Sequence, residues 1–329
     1  MLFSAFLACT FDYGLQDLSD AAQAIPDGVV RGRICDPAGG YVVGARVWVT
    51  FGDVVLQSLT DADGRFQIEG VPDGRHEVHV KKGSFALVQD VVIAEGQGQL
   101  LEEVCFASDA VSILVVTGEY DTVEDVLDRL QLDYTAINGR AGSAYVDVLA
   151  DEEQLAAYDI VFLNCGISEA WMSRREDVGQ GLRRYVKAGG NIYASDWAAS
   201  LVEEAFPGAI DFYGDDTLDY EAQVGVTSNV AAEVLDADMA ALLGSGQATI
   251  RYDLDAWVAV RGGGDGTDVL VRGDPQVYDL NTGKESALQD VPLAVSFERE
   301  GTVLYTTFHN ERQTTMDMDE LLREMVLRL

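Results

Sequence analysis

The chain has 329 residues, enough for two domains with a core each, and 48% of them are apolar, which excludes a disordered protein. Twenty-two Lys plus Arg stand against 56 Asp plus Glu, and the formal net charge of −34 repels phosphate backbones and anionic lipid surfaces, arguing against nucleic acid as a partner. No apolar run approaches the roughly 18–20 residues of a membrane-spanning helix.

The first eleven residues, MLFSAFLACTF, carry no charge and place small residues before Cys9. They resemble the end of a bacterial lipoprotein signal with its lipobox. That resemblance implies that Cys9 is acylated and becomes the mature first residue. A secretory signal or an ordinary buried N-terminal segment are the other readings of the same residues. An acidic, Ala-rich stretch follows over residues 12–27 and reads as a tether, so residues 1–27 form a signal remnant and linker.

From residue 28 the pattern becomes short β runs separated by turns. VVRGRICDPAGGYVVGARVWV opens it, and VVLQSLT, RFQIEG and RHEVHVKKG follow, with DADG and VPDG at the corners. This spacing predicts an antiparallel β-sandwich of about 80 residues. The carboxylates Asp61 and Asp63 beside Gly64 suit a tight turn better than a calcium site. His76 and His79, three apart in a strand, point to opposite faces and do not share a metal. Three motifs in order (G-x-I-x-D…G-A-x-V, T-D-A-D-G-R-F and G-V-P-D-G-R-H-E-V) resemble the carboxypeptidase regulatory-like domain over residues 28–106, a transthyretin-type sandwich. Such domains serve mostly as spacers or adhesive modules. Cys35 and Cys105 bracket this unit and are natural disulfide partners in an exported protein, leaving Cys165 as the odd thiol.

Past residue 111 strands alternate with amphipathic helices. ILVVTG is a continuous apolar run of the kind buried on both faces of a parallel sheet, and Val123, Val126, Leu127 and Leu130 give the next helix one apolar face. The buried strand DIVFLNCG comes next. A helix follows with a capping box from Ser173 to Glu176 and an apolar face of Val178, Leu182, Tyr185 and Val186. NIYAS then leads through Asp196 into AASLVEEAF. The alternation predicts an α/β doubly wound, flavodoxin-like parallel sheet over residues 111–329, interrupted by a β-rich insertion at about 212–290.

The runs Y-D-I-V-F-L-N-C-G, L-R-R-Y-V-K-A-G-G-N-I-Y-A-S-D-W and G-T-V-L-Y-T-T-F-H-N-E-R resemble the class I glutamine amidotransferase-like superfamily, in particular its trehalose-utilisation-like branch. Active members of that superfamily deliver a nucleophilic cysteine at the elbow that ends the strand after the A-G-G turn. Here that segment reads Tyr193-Ala194-Ser195-Asp196-Trp197 and has no cysteine. Cys165 ends the preceding strand, where the resemblance implies backbone of an oxyanion hole together with Gly166. As a lone thiol in an apolar run it reads as a buried core residue.

His309-Asn310-Glu311 keeps the family's H-x-E spacing. Two arrangements are conceivable. In one, Ser195 is a nucleophile with His309 as base and Glu311 orienting the imidazole. In the other, Asp196 and His309 hold a metal or polar ligand. Asp196 also suits an N-cap for the helix after it, and the Gly-x-Ser-x-Gly of a serine elbow is missing.

The expectation is therefore a non-catalytic cell-envelope lipoprotein, outer-membrane or periplasmic. Its sandwich acts as a spacer, and its degenerate amidotransferase-like domain binds through Cys165, Gly166, Asp196, Trp197 and Asn310. An envelope amide or ester hydrolase using Ser195, His309 and Glu311 is the alternative. No cofactor or metal is assigned, and the partner is another envelope protein or a small polar ligand, with the membrane reached through the lipid anchor only.

Overall fold

The computed structural model describes residues 28–94, 98–213, 223–310 and 315–329. The first unit is built from two sheets whose inward positions alternate with exposed ones. In one sheet Arg65–Ile68, Val30–Cys35 and Gln99–Cys105 are neighbours in that order; in the other the order is Val54–Leu59, Arg46–Phe51, Gly74–Lys82 and Phe85–Ile93. Val47, Val49, Val78 and Val80 alternate inward across two adjacent strands, which is the period-two pattern the sequence shows.

The sandwich is not wholly antiparallel. Its last strand arrives from the opposite sheet and runs parallel to the first, placing Cys105 directly beside Cys35. The two form the expected disulfide at a Cα–Cα distance of 4.3 Å. The Asp61 corner is a turn: its Oδ1 accepts the N–H groups of Asp63 and Arg65 at 2.9 and 2.8 Å, and Gly64 supplies a φ of +68°.

The second unit has one nine-stranded sheet. Its parallel half runs Thr135–Asn138, Ile113–Thr117, Ile160–Leu163, Asn191–Ser195, Thr302–Thr306, the order 2-1-3-4-5 of a doubly wound fold. These strands are buried on both faces. Ile113 and Val115 enter one core with helices Val123–Arg129 and Met316–Arg328, while Leu114 and Val116 enter the other with helices Ala144–Leu149, Arg175–Lys187 and Ala199–Ala205.

Beyond Thr302–Thr306 the sheet continues antiparallel through Val291–Glu298, Thr267–Gly273, Ser228–Val234 and Gln247–Tyr252. This corrects one expectation, since the sheet is mixed and not wholly parallel; three strands from the expected β-rich insertion extend it. Alternating burial in Ser228–Val234 identifies a strand, but periodicity does not say which edge it joins. The expected capping box is also absent. Glu169–Arg174 forms a 3₁₀ turn, Ser173 Oγ donates to Ala170 O at 2.8 Å, and the helix at Arg175 begins without a side-chain cap.

The sandwich is fused to the α/β unit through the terminal helix. Lys82 Nζ lies 2.6 Å from Glu324 Oε1 and 2.8 Å from Asp238 Oδ2, with Lys82 and Glu324 both buried. Arg323 reaches Asp36 and Tyr41 O at 2.7 Å each. The carbonyl of Leu329 accepts from Ser84 N–H, Ser84 Oγ and Asn191 Nδ2. Gly83, at φ +54°, is required here, because a Cβ would sit 2.6 Å from the backbone of Arg328. Valines of the sandwich and Leu321, Leu322 and Met325 of the terminal helix share one continuous core.

Candidate functional site

Four chain segments leave the C-terminal ends of adjacent parallel strands and converge. These are the loops after Ile113–Thr117, Ile160–Leu163, Asn191–Ser195 and Thr302–Thr306, and they carry Asp121, Cys165, Asp196 and His309. Close approach of the first two loops depends on glycine: a Cβ on Gly118 would lie 1.8 Å from Cys165 O.

Ser195 ends its strand with no exposed surface. Its Oγ accepts the Cys165 N–H at 3.0 Å and donates to the carboxylate of Asp121. The other Asp121 oxygen accepts the Asn310 N–H at 3.0 Å. Burial pushes the Asp121 carboxyl up to about 6, against the opposing pull of His309 and the Ser195 hydroxyl. Asn310 also donates Nδ2 to Thr122 O at 2.7 Å, so it ties two loops together. The alternative hydrolase reading would pair Ser195 with His309; the Ser195 hydroxyl donates instead to Asp121. Glu311, like Cys9, lies outside the described residues.

The elbow residue is Asp196. Its φ is +45°, a left-handed conformation that costs a non-glycine residue about 1–3 kcal/mol and persists where the surroundings enforce it. Asp196 does not cap a helix. It opens a 3₁₀ turn, its Oδ1 accepts the Val258 N–H at 2.7 Å, and its backbone carbonyl accepts from Tyr305 OH at 2.9 Å. Its Oδ2 accepts the Cys165 thiol at 3.3 Å and faces His309 Nε2 at 3.6 Å.

Cys165 is buried as expected but is a polar contact, not inert core. Burial first, and the Asp196 carboxylate second, push its thiol well above the ordinary range, so the uncoordinated thiol stays protonated at neutral pH. Ligand-like atoms of Cys165, Asp196 and His309 all lie within 4.8 Å of one another.

Outside this cluster, Trp197 is half-exposed and donates its indole N–H to Ala256 O at 2.8 Å. Gly166, at φ +86°, packs against the loop of Glu119. His309 opens onto a small depression lined also by Arg251, Tyr252, Asp253, Leu254 and Trp257, with about 230 Å³ of empty space, part of it open solvent. Tyr252 stacks on Trp257 at 4.0 Å and shares a hydrogen bond with Thr307.

Sequence reading missed Asp121 and Val258. Asp121 had a usable signal: it is the first acid after the G-E-Y that terminates a doubly buried strand, at the edge where such sheets bind ligands. Val258 had none, since it contributes only a backbone N–H from a segment remote in sequence.

Residues 29–103 match the family model of the carboxypeptidase regulatory-like domain, and this segment is such a domain. No curated protein matches the chain in sequence. Among solved structures, the cytoplasmic protein STM3548 from Salmonella typhimurium is similar at 13% identity and a TM-score of 0.41, over 66% of this chain and 97% of that one. PurLQS from Thermotoga maritima is similar at 11% identity and a TM-score of 0.39, over 66% and 96%. The Trypanosoma brucei CTPS glutaminase domain with bound acivicin is similar at 14% identity and a TM-score of 0.38, over 66% and 92%. Likenesses this distant decide nothing about activity. No helix among the described residues is long and apolar enough to cross a membrane, and the Cys35–Cys105 disulfide suits an oxidising compartment.

Proposed function

We propose that the chain is a non-catalytic envelope protein whose α/β unit binds a small polar ligand at the strand-end crevice. The observation that carries this reading is Asp196 at the elbow. A strained carboxylate stands where acyl transfer needs a nucleophile, and the neighbouring serine is buried against a carboxylate. Both groups are buried, and the Ser195 hydroxyl is held between Asp121 and the Cys165 N–H. What the crevice does offer is convergent polar atoms beside a small, aromatic-edged depression, below the ~300–1,000 Å³ of pockets for drug-sized ligands and suited to a very small polar ligand.

On this reading the sandwich, fused to the terminal helix, is a spacer between the crevice and a lipid anchor at Cys9. The disulfide supports export. Membrane attachment is tested by metabolic labelling with a palmitate analogue, which is incorporated into the natural chain and lost in Cys9→Ser.

Binding without turnover is tested by a thermal-shift screen of small polar ligands, paired with an amide and ester depletion assay. The expected result is a raised melting temperature for a polar ligand with no product formed. Turnover abolished by Ser195→Ala overturns the proposal.

A further inference from the structure

We infer that Cys165, Asp196 and His309 form a binding site for one divalent transition-metal ion, zinc-like in its preferences, with a fourth position left for water or a polar ligand. The inference deepens the binding role assigned to this crevice and rests on it.

Geometry is the first argument. A tetrahedral zinc ion with bonds of about 2.3 Å to sulfur, 2.05 Å to nitrogen and 2.1 Å to oxygen separates S from O by about 3.6 Å and N from O by about 3.4 Å. The corresponding separations here are 3.3 Å for Cys165 Sγ to Asp196 Oδ2 and 3.6 Å for His309 Nε2 to the same oxygen. The three ligand atoms already stand within a few tenths of an ångström of metal-bound spacing on both measured edges. The remaining S to N edge is bounded by 4.8 Å.

Support behind the ligands is the second argument. The Val258 N–H fixes Asp196 Oδ1 at 2.7 Å and turns Oδ2 toward the thiol and imidazole, as hydrogen bonds behind a metal ligand do. Tyr305 holds the Asp196 backbone, and the left-handed elbow aims the carboxylate inward at a conformational cost. Burial is the third. Cys165, Asp196 and His309 are 1%, 3% and 9% exposed, and a carboxylate so buried is stabilised by a cation. His309 also lines the depression, so the cluster lies one side chain away from it.

Sulfur, nitrogen and carboxylate oxygen together favour zinc, cobalt or a similar ion over calcium and magnesium, which prefer all-oxygen shells. On binding, the Cys165 S–H bond breaks, the sulfur–metal bond forms with the sulfur's electron pair, and the proton passes to solvent. Three protein ligands with one open position is the arrangement of zinc sites that engage a further ligand. Spacing in the sequence hides the set, because its members sit at residues 165, 196 and 309, on three strand ends that only the sheet brings together.

The test is cobalt and zinc titration of the full chain after chelator treatment and removal of the chelator. One equivalent of Co²⁺ is expected to produce a thiolate-to-cobalt charge-transfer band and the intense visible bands of four-coordinate cobalt, both displaced by one equivalent of Zn²⁺. Cys165→Ser is expected to abolish the charge-transfer band. His309→Gln and Asp196→Asn are expected to weaken zinc binding at least about tenfold. Circular dichroism and melting curves establish that each variant is folded, and Cys9→Ser serves as the thiol control.

A folded natural chain that gives no charge-transfer band, or a band that survives Cys165→Ser, overturns the assignment. Cation uptake by the acidic surface alone, visible as zinc binding without that band, overturns it as well. With the ligand screen repeated on the chelator-treated protein, a polar ligand that binds there while cobalt fails sinks this inference and leaves the binding role standing.

Discussion

The Ser195 hydroxyl donates to the carboxylate of Asp121 with both side chains buried. That bond commits the Ser195 oxygen to joining the loop after Ile113–Thr117 to the end of Asn191–Ser195.

Ser195→Ala is expected to cost about 1–3 kcal/mol of stability, since it leaves the Cys165 N–H and an Asp121 oxygen without their buried partner. Urea denaturation of the variant against the natural chain measures it. An unchanged midpoint would mean that water replaces the hydroxyl at no cost.

The fused domain interface yields a second expectation. Lys82→Met removes the cation facing the buried Glu324 and is expected to destabilise by about 3–5 kcal/mol, whereas Lys82→Met with Glu324→Leu recovers most of that loss. A double-mutant cycle by chemical denaturation decides it. Additive effects would show that Lys82 is held by Asp238 alone.

Stability should also depend on pH through Glu324. Burial pushes its carboxyl up to about 7, with Lys82 pulling the other way. A carboxyl raised on folding contributes stability that is fully present below its ordinary value of 4.5 and is lost as pH rises through about 7. Unfolding free energy of the natural chain relative to Glu324→Gln should fall by up to about 3 kcal/mol between those limits. Denaturation curves at half-unit intervals test this, and parallel profiles for the two proteins would contradict it.

The disulfide closes a loop of 70 residues between two parallel strands. Replacing both cysteines with alanine is expected to cost about 4 kcal/mol, chiefly by freeing the unfolded chain. Calorimetric melting compares the two forms. A loss confined to the sandwich, with the α/β unit melting unchanged, would contradict the shared core.

By itself the sequence determined the elements. Period-two burial in Arg46–Phe51 and unbroken apolar runs such as Ile113–Thr117 reflect local geometry, so the sandwich, its disulfide and three of the five parallel strands were legible, while the short, mostly exposed Thr135–Asn138 was not read. Glycine and aspartate turns were legible for the same reason.

Only the tertiary structure decided partnership. Whether Ser228–Val234 joins the main sheet, whether Ser195 meets His309 or Asp121, and whether Lys82 finds Glu324 all depend on contacts between residues distant in sequence. A run of side chains fixes its own strand or helix, but it carries no record of which edge or strand end will be packed beside it.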